Sequence, residues 1–221
     1  MIRALVFDFD GLILDTETPL IDAYAQVYAA HGVPFDRPLF LRSVGHVDFA
    51  FDPWSGFDSK VDRIQLESER RVHKDRLLQA QPILPGVVPL LEAAAGRGLR
   101  IGLASNSDHA WVDGHLTRLG LFGRFDFIAC REDVPSPKPE PDLYRHVLTR
   151  FGLRGHQAVA FEDSHTGSIA AKRAHLWAVA VPNESTAHHD FTHVDVRVSS
   201  LAEVALDALF EGFERTHAGR G

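Results

Sequence analysis

Asp8 and Asp10 stand one residue apart in the stretch FDFDGLILDTE, directly after an apolar run over residues 2–6 that only Arg3 interrupts. The run has the look of a short strand, and two carboxylates at its end could make a turn with Gly11, line a solvated acidic rim, or do chemistry. Polar residues follow other short apolar runs too. RIGLAS delivers Ser105 with Asn106 and Ser107, and AVAFEDS delivers Glu162, Asp163 and Ser164. Lys138 lies in PSPKPEPD, where the prolines keep its backbone out of helix until the next helix begins. Each has an ordinary explanation when taken alone. A serine after a strand is usually a helix cap, a loop lysine is usually solvated, and Glu-Asp after a strand is usually a turn.

Together they meet the needs of phosphoryl transfer from a monoester, which are a nucleophile in line with the leaving oxygen, neutralised phosphoryl oxygens and a proton for the departing alcohol. Asp8 can attack phosphorus and form an aspartyl phosphate. Asp10 can protonate the alcohol and later deprotonate the hydrolytic water, provided neighbouring carboxylates raise its pKa. Carboxylates crowded at one edge would repel without a cation. Mg2+ is therefore expected, held by Asp8, the backbone carbonyl of Asp10, Asp163 and Glu162, the last directly or through water. Ser105 and Asn106, with the backbone amides of a helix start, can hold phosphate oxygens, while Lys138 adds positive charge opposite the metal.

The elements that must position these groups can be read from the pattern. Short β-rich runs at 4–7, 100–104, 125–129, 158–161, 177–181 and 194–198 alternate with helical stretches at 87–96, 110–119, 142–151, 166–175 and 201–213. Several of the runs are apolar throughout, as strands covered on both faces are. The expected fold is α/β, a doubly wound parallel sheet with helices on both sides. In such a sheet the ligand site lies beyond the carboxyl ends of the strands, near the switch in strand order. One segment breaks the rhythm. Residues 15–85 are mostly helical, with helices predicted at 19–31 and 60–78, and Pro82 and Pro85-Gly86 mark the return to the sheet. The predicted organisation is a core of residues 1–14 and 86–221 with a helical cap at 15–85.

With these motifs in this order, the sequence resembles the haloacid dehalogenase superfamily. FDFDGLILDTE is similar to its first motif, LASNS to the second, SPKPEPDLY to the third and FEDSHTGSIAA to the fourth. The helical insertion after the first motif resembles the cap of the subfamily that contains β-phosphoglucomutase and many small-molecule phosphatases. The resemblance implies a hydrolase acting on a small phosphorylated metabolite, a sugar phosphate above all. Within the superfamily, dehalogenases and phosphonate-cleaving relatives lack an acid two residues after the nucleophile, so Asp10 points to phosphate esters.

Two other functions compete with hydrolysis. A mutase of the β-phosphoglucomutase type would use the same core, but its relatives carry a histidine shortly after the DT pair and an arginine after Gly-x-Ser in a cap loop. Here the matching stretches read DTETPLIDAY and SVGHVDFA, with Leu20 where the histidine would fall and His46 and Asp48 but no arginine after Gly45. A catalytically silent binding protein would have no chemical need for Asp8, Asp10, Ser105, Lys138 and Asp163 together. His188, His189 and His193 lie near the chain's end, and Cys130 after a strand is expected as a small buried hydrophobe. The aromatic stretch 49–57, with Trp54, could line a substrate pocket or form cap core.

Composition narrows the class. The chain has 221 residues, 45% hydrophobic and 24% charged, with 23 Lys plus Arg against 30 Asp plus Glu, a formal charge of −7. No basic run offers a footprint for nucleic acid. A single cysteine excludes an internal disulfide and suits a reducing compartment. No apolar stretch is long enough to span a membrane and no signal-peptide pattern opens the chain. Cytoplasm is the expectation. Oligomeric state is left open, a monomer being the default.

Overall fold

The computed structural model describes residues 1–43 and 51–218. Six parallel strands form one sheet in the order β3-β2-β1-β4-β5-β6, with β1 Ala4–Phe7, β2 Arg100–Ala104, β3 Phe127–Ala129, β4 Ala158–Glu162, β5 Trp177–Ala180 and β6 Val196–Arg197. Alternation along β1 divides the core. Leu5 and Phe7 face a cluster with Leu103, Phe161, Val179 and the apolar sides of α4 Val87–Gly96, α5 His109–Arg118 and α8 Leu206–Ala218. Ala4 and Val6 face the other side, where Ala104, Ala160 and Ala178 meet α6 Asp142–Phe151 and α7 His165–Arg173. Small residues on that second face let the helices approach closely, and a Cβ on Gly102 would lie 2.6 Å from Val147 Cγ1. The doubly wound sheet read from the sequence is the architecture observed.

Between β1 and α4 run α1 Glu17–Ala30, α2 Arg37–Ser43 and α3 Arg63–Ala80. They enclose an apolar cluster of their own, made by Ile21, Val27, Tyr28, Phe40, Trp54 and Leu66. Trp54 stacks on Tyr28 at a centroid distance of 6.2 Å, so within 51–57 it serves as packing. Both ends of this segment meet at one point: Leu14 bridges to Ile83, and the Leu84 N–H donates to Ile13 O at 3.0 Å.

Several boundaries differ from the sequence pattern. The 125–129 run pairs with β2 only over Phe127–Ala129. The helix expected at 201–213 begins as a 3-10 turn, Leu201–Glu203, capped by the Ser200 hydroxyl, and α8 starts afresh at Leu206. The helix α2 was not anticipated as a separate element. His46 and Asp48 lie outside the described residues.

Candidate active site

The site is built by strand register. β1 sits between β2 and β4, pairing Phe7 with Leu103 on one side and with Phe161 on the other. Side by side, the chains leave the sheet at its carboxyl edge, and the Asp8 N–H donates to Phe161 O at 3.0 Å. Asp8 thereby lands beside Glu162 and Asp163, at the switch in strand order where open α/β sheets bind ligands.

Lys138 joins them from the loop before α6. Its Nζ donates to Asp8 Oδ1 at 2.7 Å and to Glu162 Oε1 at 2.6 Å, and the Tyr144 hydroxyl donates to the same Glu162 oxygen. Asp163 is held from the other side by Asn183 Nδ2 at 2.9 Å. Asp8, Glu162, Asp163 and Lys138 are all buried. One lysine faces three carboxylates, which leaves the cluster short of positive charge. Burial and the nearby Glu162 push Asp8 up to about 7 even though Lys138 pulls the other way. Burial together with Asp8, Glu17 and Glu162 holds Asp163 well above the usual carboxylate range. For Lys138, burial opposes the charge, but the ion pairs to Asp8 and Glu162 outweigh it and strengthen the amine as a base.

The donor set fits a hard divalent cation. Asp8, Glu162 and Asp163 each offer an oxygen, the three lying within 4.8 Å of one another, and net negative oxygen-only clusters suit such ions. Glu162 Oε1 accepts two donors, and its Oε2 accepts the Ser164 hydroxyl at 3.4 Å. Two glycines keep this space clear. A Cβ on Gly11, whose φ is +75°, would lie 2.2 Å from Asp163 Oδ2, and one on Gly167 would lie 2.0 Å from Glu162 Oε2.

Asp10 is held apart from the lysine. Ser107 Oγ donates to its Oδ2 at 2.7 Å and Trp111 Nε1 to its Oδ1 at 3.0 Å. Ser105 is buried and its Oγ accepts the Ser107 N–H at 3.0 Å. α5 begins only at His109, with Asp108 capping it through the Trp111 N–H, so the amides beside Ser105 belong to a loop rather than to the helix start expected there. The Asn106 side chain donates to Lys138 O at 3.2 Å and accepts the Lys138 N–H at 2.8 Å. It shapes the lysine's loop in this arrangement.

Tyr144, Asn183, Trp111 and Glu17 also belong to the neighbourhood, and the first three carried no sequence signal of their own. Tyr144 and Trp111 look like core aromatics in helical stretches, and Asn183 lies in a loop after β5. Glu17 had a position signal only, at the end of the first motif. Its Oε2 is buried with no hydrogen-bond partner, and burial raises its pKa. The other singled-out residues lie elsewhere. Cys130 is buried and pushed up to about 12, which makes it inert. His193 is less remote than its position in the chain suggests, with its ring 5.1 Å from that of His165 on α7.

This fold and this edge define a class. Residues 2–175 match the haloacid dehalogenase-like hydrolases, and the chain belongs to that family. Among its relatives, YhcW of Bacillus subtilis is 39% identical over 215 residues, covering 96% of this chain and 97% of that one. Hexitol phosphatase B of Escherichia coli is 35% identical, covering 92% and 94%. The crystal structure of CbbY from Rhodobacter sphaeroides in complex with phosphate matches with a TM-score of 0.70 at 28% identity, over 95% of this chain and 100% of that one. Among the described residues, no helix is long and apolar enough to cross a membrane.

Proposed function

We propose that the chain is a Mg2+-dependent phosphatase for a small phosphorylated metabolite, a sugar phosphate by class, acting through an aspartyl phosphate on Asp8. The observation that carries this reading is the buried Asp8–Lys138–Glu162–Asp163 cluster with Asp10 held separately beside it. Asp8, the Asp10 carbonyl and Asp163, with Glu162, are the groups that would hold Mg2+. When bound, the ion neutralises phosphoryl oxygens and the crowded carboxylates. Asp8 attacks phosphorus, the P–O ester bond breaks with its electron pair going to the ester oxygen, and Asp10 gives that oxygen a proton. Asp10 then takes a proton from the water that attacks the Asp8 phosphate, and the bond between phosphorus and the Asp8 oxygen breaks, releasing phosphate and restoring the Asp8 carboxylate. Ser105 and Lys138 steady the phosphoryl oxygens. The helices α1 and α3 belong to the segment that would act as a cap, and the unpartnered Glu17 oxygen on α1 suits a substrate hydroxyl. The names of hexitol phosphatase B and the phosphate complex of CbbY support this substrate class.

Hydrolysis is favoured over isomerisation because Leu20, half-buried in α1, cannot shuttle a proton to Asp10 as a histidine could. Incubation with β-glucose 1-phosphate, a trace of the 1,6-bisphosphate and Mg2+ should release phosphate. Efficient glucose 6-phosphate formation with little free phosphate would overturn the hydrolase in favour of the mutase. A panel of phosphorylated sugars, nucleotides and acids should show sugar phosphates turned over fastest.

The metal can be tested without turnover. Asp8 and Asp163 have raised pKa values in the folded chain, so their contribution to stability is complete below the ordinary aspartate value of 3.8. For Asp8 it is lost as the pH rises through about 7. Chelated protein should therefore lose Tm between about pH 5.5 and pH 8, and Mg2+ should raise Tm more at the upper end. An equal or larger Mg2+ effect at the acid end would contradict this assignment. Asp163→Ala should abolish the Mg2+ shift, and excess chelator should stop activity in the unmutated protein.

A further inference from the structure

Trp111 is used on several sides. Its N–H donates to Asp10 Oδ1 at 3.0 Å, and its ring face lies beneath Lys74 of α3, with the Lys74 Nζ 4.6 Å from the ring centroid. His115, one turn further along α5, packs against the same ring at 4.4 Å and against Phe9 at 6.2 Å. Close by, Arg118 Nη1 donates to Gln79 O at 3.3 Å and Gln81 O at 3.4 Å, tying the end of α3 to α5. The helix that orients Asp10 is therefore also joined to α3 by these contacts. Of the two side chains donating to Asp10, the serine hydroxyl can rotate, whereas an indole N–H keeps one direction once its ring is fixed.

We infer that Trp111 is a positioning residue for Asp10, and that Lys74 acts through it by fixing the ring from the side of the insertion; this rests on the acid role given to Asp10 above. Proton transfer from Asp10 needs its carboxyl within hydrogen-bond reach of the ester oxygen as the P–O bond breaks. A carboxyl free to swing misses that geometry part of the time.

The leaving group separates this role from simple packing. 4-Nitrophenolate departs without a proton, whereas the alkoxide of benzyl phosphate needs one, and kcat/KM reports the steps up to its departure. Trp111→Phe keeps an aromatic face for Lys74 and His115 and removes the N–H. It should lower kcat/KM for benzyl phosphate about tenfold and for 4-nitrophenyl phosphate less than about twofold. Equal losses on both substrates, or none on either, while Asp10→Asn stays selectively impaired on benzyl phosphate, would overturn the inference. Hydrolysis of benzyl phosphate by Asp10→Asn at the unmutated rate would instead sink the acid role of Asp10. Lys74→Met should reproduce part of the selective loss and add almost nothing in the Trp111→Phe background. Independent, multiplying losses would remove Lys74 from the pathway.

Discussion

Asp8→Asn is expected to lower kcat by at least about four orders of magnitude while leaving the protein folded, the scale on which losing a covalent nucleophile registers. The amide is nearly the size of the carboxylate but cannot attack phosphorus. Structure should survive, since Asp8 is a buried acid that the fold pushes up to about 7, and replacing it removes a costly charge. Lys138 keeps its second partner, Glu162 Oε1, at 2.6 Å. Circular dichroism and Tm should match or exceed those of the unmutated protein. Near-normal turnover in a folded Asp8→Asn protein would end the covalent mechanism.

Lys138→Met should fail differently, losing activity and stability together. The lysine side chain is only 4% exposed and is shared by Asp8 and Glu162, so its removal leaves two buried carboxylates facing each other. Removing one member of a buried ionic set costs about 3–5 kcal/mol, because the remaining charge keeps its desolvation penalty. Denaturant unfolding should show a loss of that order, and Mg2+ should recover part of it by supplying the missing positive charge. Unchanged stability in Lys138→Met would mean that the carboxylates take up protons or water freely, and the tight cluster would then not describe the site in solution.

How far the sequence could be read differs from element to element. Ala4–Phe7 and Arg100–Ala104 appear where the apolar runs stood because strands buried on both faces need little beyond hydrophobicity. The 125–129 run was shortened at its start, since only Phe127, Ile128 and Ala129 find partners on β2. The pattern over 201–213 predicts one helix, whereas Ser200 caps a separate 3-10 turn before α8 begins. Periodicity alone does not show a break of that kind.

Asp8, Asp10, Lys138, Glu162 and Asp163 could be picked out from sequence because, ordinary one by one, they recur together as polar residues at the ends of apolar runs or in a proline-braced loop. The α/β alternation and the helical interruption after β1 were legible for the same reason, as local periodicity follows from local burial. Register and approach were decided only in three dimensions. That Lys138 bridges Asp8 and Glu162, that Asn106 turns toward the Lys138 backbone, that Tyr144 and Asn183 brace the acids, and that Trp111 holds Asp10 all depend on contacts between residues 18 to 130 positions apart. Such pairings are set by which strands neighbour one another and how closely helices pack on them, a property of the whole sheet that no short stretch of the chain encodes.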